Sequence, residues 1–216
     1  MQNLNYMLRL VLTPIFFLIT FVSFAQFEGV IEFKMQTKKD TTINIYYIKS
    51  DHIKLDQLGK KSGKVEGSFV FDLTNKQIKF VNPGRKVWGE HKSETPAVIK
   101  GTCEVTKTKN VKTVLGRKCN EYIVKNTEEN TQISYWICTE KFDFFVPMVR
   151  LWNRKDKQSI YFNQIKDLPK GAMPLASYET SIDGKVVSVL EMTKIDKKTL
   201  ELTQVSVPAD YKKFEQ

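Results

Sequence analysis

The stretch at 114–140, VLGRKCNEYIVKNTEENTQISYWICTE, decides how the rest of the chain is read. Two runs rich in aromatic and β-branched residues flank the polar, turn-like NTEEN at 126–130, so the stretch reads as a hairpin. Facing Val124 with Ile133 sets Tyr122 against Tyr135 and Asn120 against Ile137. The same register puts Cys119 opposite Cys138 on the other face. Directly opposed strand residues have Cα atoms about 4.5–5.5 Å apart, within reach of a disulfide. A slip by one residue would lose both the apolar face and the pairing. The register therefore predicts a Cys119–Cys138 staple. Three unpaired buried thiols are the open alternative, since a strand cysteine is often a small core residue. Cys103 is left over in either case.

The compartment bears on that choice. The N-terminus reads MQNLNYMLRLVLTPIFFLITFVSFAQFEG, with Arg9 the one charge before Glu28 and a nearly unbroken apolar run from Leu10 to Phe24. Ser23-Phe24-Ala25 offers small residues where a signal peptidase reads them, so cleavage is expected between Ala25 and Gln26. The run is shorter than the roughly 20 residues that a membrane span needs, and Pro14 interrupts it. Removing 25 of 216 residues leaves a mature chain of 191, expected to be exported to the periplasm or beyond the cell, at or near the membrane surface. Thiols there tend to be oxidised. There is no C-x-x-C, and His52 and His91 lie far from the cysteines, so neither a metal site nor any other cofactor is expected.

A mature chain of this size suits one domain, residues 26–216. The full chain carries a formal net charge of +10, of which Arg9 supplies one, leaving +9 after cleavage. The lysines are scattered rather than clustered, as on a solvated surface. Attraction to an anionic envelope surface is the functional reading of that charge, and nucleic acid is not an expected partner.

Period-two patterns dominate the chain beyond the leader. FEGVIEFKM places Phe27, Gly29, Ile31, Phe33 and Met35 on one face, and TTINIYYIK places Ile43, Ile45 and Tyr47 together on one face. HIKLDQL offers Ile53 and Leu55. GKKSGKVEG at 59–67 reads as a mobile loop. SFVFDL and KQIKFV form a hairpin carrying Phe69, Phe71, Ile78 and Phe80; NPG at 82–84 turns the chain into RKVWGEH. EVTKTKNVKTVL is a polar strand entering the cysteine hairpin. IDGK at 182–185 is an Asp-Gly turn between LASYETS and VVSVLEMTKI, and TLELTQVSV extends the strand pattern toward PADYKKF. One region departs from period two. In FDFFVPMVRLWNRKDKQSIYFNQIKDLPKG, Phe145, Val149 and Trp152 fall at helical spacing, with Asp143 as a cap and Pro147 in the first turn. Tyr161, Ile165 and Leu168 make a second stripe before Pro169 and Gly171. Residues 143–166 are therefore expected to cover the open face of an antiparallel sheet as its most mobile ordered part, with Phe145, Val149 and Trp152 inward and Arg150, Arg154 and Lys155 in water.

In that order the segments resemble the exported family known as domain of unknown function 4412. The resemblance rests on FEGVIEFKM after the leader, the hairpin FVFDLTNKQIKFVNPGRKVW, KTVLGRKCNEYIV, the Trp-bearing SYWICTEK, and the tail SVPADYKKF. Asp210 stands where the family tail has glycine, and Cys103 and Cys138 lie outside the family pattern. The family is in turn similar to periplasmic lipoprotein carriers of the Lol type. That likeness implies a mainly β fold, a curved antiparallel half-barrel with one or two short helices over one face, and, by analogy, acyl-chain binding.

These observations support three functions. A binding module for an apolar or amphiphilic ligand, such as a lipid or lipoprotein, would use the large apolar residues Phe33, Tyr47, Phe69, Phe71, Phe80, Trp88 and Trp136 with the lid residues Phe145, Val149 and Trp152. A structural or protein-interaction module of the envelope would need no small ligand. An enzyme is disfavoured. G-x-S-x-G, H-E-x-x-H and glycine-rich phosphate loops are absent, and His52, Asp51, Asp56 and His91 read as surface groups. The expected protein is a non-catalytic envelope protein with an apolar or amphiphilic ligand.

Overall fold

The computed structural model describes residues 26–60, 62–92, 95 and 98–214. The expected leader and Ala25 lie outside the described residues; Gln26, the first described residue, is exposed. The strands are β1 (Gly29–Thr37), β2 (Thr41–Lys49), β3 (His52–Leu58), β4 (Val65–Asp72), β5 (Gln77–Asn82) and β6 (Val87–Glu90). They continue as β7 (Glu104–Val114), β8 (Arg117–Asn126), β9 (Thr131–Thr139), β10 (Ala172–Thr180), β11 (Val186–Lys197) and β12 (Lys212–Lys213). All belong to one open, curved sheet of 12 strands in the order β12-β6-β5-β4-β3-β2-β1-β11-β10-β9-β8-β7. Two meanders, β1–β6 and β7–β11, meet where β11 pairs with β1, so the first strand lies in the middle of the sheet.

The register of the cysteine hairpin is the one its side chains require. Val124 faces Ile133, Tyr122 faces Tyr135, Asn120 faces Ile137, and Cys119 faces Cys138. Both outer edges are protected. Lys212–Lys213 pairs in parallel with β6, and β7, at the far edge, is studded with exposed lysines that discourage pairing with another chain.

In strand β2 Ile43, Ile45 and Tyr47 share a face as their spacing indicates, but that face is the outer one, so Tyr47 does not face a ligand. Asn44, Tyr46 and Ile48 face the concave core, and Ile43, Ile45 and Tyr47 lie half-buried on the convex side. Apolar residues occupy both faces of this strand, and the polar Asn44 disguised the inward one. The convex side is covered here by the C-terminal segment, whose residues Leu202–Val205 form a 3-10 turn packed against β2 and β3 rather than the expected strand. Glu201 and Gln204 form a reciprocal capping box at its start, and Leu200 and Val205 are buried. The 59–67 loop is also shorter than expected. Val65, Glu66 and Gly67 already belong to β4, and Gly59 donates its N–H to the Lys64 carbonyl across a tight turn.

Between β9 and β10 the chain leaves the sheet and crosses its concave face as α1 (Phe145–Trp152) and α2 (Lys157–Phe162). Helices of 8 and 6 residues have little stability alone, so tertiary packing holds them. Asp143 does not cap α1; the N-cap is Phe144, without a side-chain hydrogen bond, and Asp143 instead pairs with Lys170. Asn153, in the left-handed conformation, ends α1 by donating its N–H to the Val149 carbonyl. Asp156 caps α2 by accepting from the Ser159 N–H at 3.0 Å and the Ser159 hydroxyl at 3.0 Å. Replacing Asp156 with alanine should cost about 1 kcal/mol in a urea melt. Helix α2 stops at Phe162, before the expected stripe ends, although Ile165 is buried with Tyr161.

The two ends of this excursion close at Gly171. Its carbonyl accepts from the Glu140 N–H, and with φ at +73° a Cβ would stand 1.7 Å from the Glu140 carbonyl oxygen. No other residue fits there without moving the backbone. Gly171→Ala is expected to cost about 1–3 kcal/mol or more, read as a lowered urea midpoint.

Candidate ligand-binding cavity

A cavity of about 440 Å³ lies between the concave face and the helical segment. Its floor is Phe33 and Met35 of β1, Thr42, Asn44 and Tyr46 of β2, Gln57 and Leu58 of β3, Tyr135 of β9, Pro174 and Ser177 of β10, and Leu190 and Met192 of β11. Its roof is Phe145, Met148, Val149 and Trp152 of α1 with Gln158, Ser159 and Phe162 of α2. Thr37, Asp40, Thr42, Glu66 and Arg154, all exposed, mark the open end, near the β1–β2 and β3–β4 turns. Phe33, Tyr46, Tyr135, Met148 and Met192 are buried and form the closed end. A volume and wall of this kind suit a small apolar or amphiphilic ligand.

The roof is tied to the sheet by a buried polar chain. Tyr135 donates its hydroxyl to the Gln158 carbonyl at 2.7 Å, and Ser177 donates to Gln158 Oε1 at 2.7 Å. Gln158 Nε2 donates to the Ser188 hydroxyl at 3.0 Å, which donates to Glu179 Oε2 at 2.6 Å. Every member is satisfied, so the chain fixes where α2 sits. Burial pushes the Tyr46 and Tyr135 hydroxyls well above their ordinary pKa, so both stay protonated at neutral pH.

Phe145, Val149 and Trp152 all line the cavity. Trp152 also packs its ring on Phe69 at 5.0 Å and Phe71 at 5.1 Å, and belongs to the main apolar core. Trp152 is therefore both part of the cover and part of the core. Beyond Trp152 lies a second, more polar recess of about 280 Å³ lined by Gln57, Phe69, His91 and Asn153 among others. Arg150 and Lys155 are exposed as expected; Arg154 is also exposed, but lies over the Trp152 ring at 4.7 Å and bonds Asp156 at 2.8 Å.

Of the strand aromatics expected to face a ligand, Phe33 lines the main cavity and Phe69 the second recess. Tyr47, Trp88 and Trp136 lie on the opposite face, where lysines cover them: Lys54 over Tyr47, Lys79 and Lys213 over Trp88, and Lys112 over Trp136. Alkylammonium side chains shield these rings from water while keeping their charges solvated. Asp56, expected at the surface, is 4% exposed; it accepts from Ser68 at 2.6 Å and pairs with Lys54 at 3.0 Å. Met148 was legible in the sequence, since it stands three residues after Phe145 and four before Trp152 on the same helix face. Asn44 and Gln57 looked like ordinary surface amides.

Cys119 and Cys138 are both buried thiols, directly opposed in register, and Cys103 is half-buried. The contact between the two sulfurs holds the Cys119 thiol below its ordinary pKa, against the effect of burial, and pushes Cys138 up.

An open curved sheet crossed on its concave side by a helical connection, with a cavity between them, defines a half-barrel fold. The chain belongs to the family described as Domain of unknown function (DUF4412), which matches residues 27–211. Among solved structures, it is similar to an uncharacterised conserved protein from Thermus thermophilus, with 9% identity and a TM-score of 0.51, covering 88% of this chain and 91% of that one. It is similar more distantly to the Pseudomonas aeruginosa MucA/MucB complex, at 10% identity, a TM-score of 0.46, and coverage of 84% of this chain and 56% of that one. A putative outer membrane lipoprotein-sorting protein domain from Vibrio parahaemolyticus aligns at 10% identity and a TM-score of 0.32, over 85% and 90% of the two chains. No curated protein matches the chain.

Proposed function

We propose that this chain is an exported, non-catalytic envelope protein that binds one apolar or amphiphilic molecule, a lipid or the lipid portion of a lipoprotein, under its helical cover. The observation that carries the reading is the 440 Å³ cavity, apolar at its closed end and polar at its open end, roofed by the part of the chain that departs from the sheet. Export rests on the leader pattern at Arg9–Ala25. Mass analysis of the exported protein should find Gln26 at its N-terminus, and residues 1–25 still attached would make it membrane-anchored instead.

Filling the cavity tests binding with little harm to the fold. Val149 is half-buried on the roof, so Val149→Trp places an indole in the cavity rather than in the packed core. Nile red should bind the unaltered protein with increased fluorescence, and the Val149→Trp variant should lose most of that signal. Its urea midpoint should move by no more than the about 1–3 kcal/mol that overpacking costs. Equal dye fluorescence in the two proteins would place the dye elsewhere and remove the support for a cavity ligand.

A further inference from the structure

We infer that the cavity prefers an amphiphile with an uncharged head, an acyl chain whose carbonyl is esterified or amidated, over a free fatty acid, and that Asn44 and Gln57 bind its polar group. This inference rests on the binding function proposed above and specifies the ligand's chemistry.

Asn44 is 7% exposed and lines the cavity from β2. Gln57 stands directly opposite it on β3 and lines the cavity too. Among the described residues no protein group hydrogen-bonds either side-chain amide. Neither amide is sealed in protein: the one buried side-chain polar atom without a partner among the described residues is Asn163 Oδ1, so the amides of Asn44 and Gln57 open on the cavity space. Two adjacent carboxamides that open on a cavity and bond no described protein group are free to hydrogen-bond a polar group of its occupant. An amide can donate and accept, which suits an ester, an amide or a hydroxyl.

Their depth fits a head-outward arrangement. Asn44 lies two residues along β2 from the exposed Thr42, and Tyr46 two residues further in, which is about 7 Å per step. A polar group held by Asn44 and Gln57 would leave its chain among Tyr46, Met148 and Met192, and its head at the open end.

The charges there are set against a carboxylate. Arg154 is the one cation lining the cavity among the described residues, and its guanidinium is taken up by Asp156 at 2.8 Å. Asp40 is paired with Lys60 at 2.7 Å. Glu66 lines the open end, and no described cation pairs with it. A free fatty acid would bring a second negative charge to a site with no spare positive one among the described residues, and this kind of repulsion is how specificity against a close analogue arises.

The test compares 1-monododecanoylglycerol with dodecanoate as competitors for Nile red at pH 8, in the exported protein and in Asn44→Leu, Gln57→Leu and Glu66→Gln variants. The glycerol ester should displace the dye at a concentration at least about tenfold lower than dodecanoate does. Asn44→Leu should weaken the ester by about 3–10-fold, the loss of a hydrogen bond, and so shrink the ester's advantage. Glu66→Gln should improve dodecanoate and leave the ester unaffected. Circular dichroism melts check folding; if Asn44→Leu does not fold, the half-buried Gln57→Leu reports the same loss. Dodecanoate binding as well as the ester, or an ester advantage untouched by Asn44→Leu and Gln57→Leu, would overturn the inference while leaving amphiphile binding in place. Displacement by neither compound would overturn both.

Discussion

Trp152→Ala should cost about 3–5 kcal/mol of stability and also abolish most Nile red binding. The two losses arise from one side chain with two sets of neighbours. One part of the indole fills the core against Phe69 and Phe71, where truncation leaves a void that the surrounding strands cannot close. The other part forms the wall between the main cavity and the recess beside His91. Removing it joins the two spaces, strips Arg154 of the ring it lies over, and opens the cavity toward solvent. Urea melts give the first loss and dye titration the second. A stability loss below about 1 kcal/mol would show that the indole is not core, and dye binding undiminished in a folded variant would show that it does not wall the site.

The second large effect concerns the cysteine hairpin. We propose that Cys119 and Cys138 form a disulfide in the exported protein, with an external oxidant, such as oxidised glutathione, accepting the two electrons and the two thiols releasing their protons. Closing a loop of this size contributes about 3 kcal/mol in the chain-entropy treatment, and engineered bridges often give less. The two residues are opposed in register and buried, the geometry a cross-strand bridge needs. Peptide mapping without reduction should recover the two strands joined, and reduction should lower the melting temperature. Free thiols at both positions, or a bridge from either to Cys103, would reject the proposal. A Cys119→Ala, Cys138→Ala double variant whose stability does not respond to reductant serves as the control.

Much of this architecture was legible in the residues. The hairpin register came from matching apolar pairs because a one-residue slip would have exposed them all. The roof came from a change in period, since Phe145, Val149 and Trp152 share a helix face and no strand face. Other features were not legible, for physical reasons that differ. Strand β2 has apolar residues on both faces, and which face turned inward was settled by the C-terminal segment that covers β2 and β3 from far along the chain. The same ambiguity hid Asn44, whose polarity marked it for solvent although it is buried in the cavity wall. Trp88 and Trp136 drew attention as large aromatics, but lysines from neighbouring strands cover them on the outer face, a pairing set by register rather than by local sequence. Asp156 with Ser159 three residues on is a cap signal present in the sequence, but the helix it starts has only 6 residues, too few to show an apolar stripe of its own.

Whether the space beneath α1 and α2 holds one amphiphilic molecule is tested most directly by native mass spectrometry of the exported protein, isolated from its own cells without detergent. A second charge-state series is expected, heavier by the mass of a single lipid. It should be released on collisional activation and be absent from the Val149→Trp variant isolated in the same way. A protein that carries no adduct and takes up neither Nile red nor 1-monododecanoylglycerol when they are added would contradict a ligand-binding role.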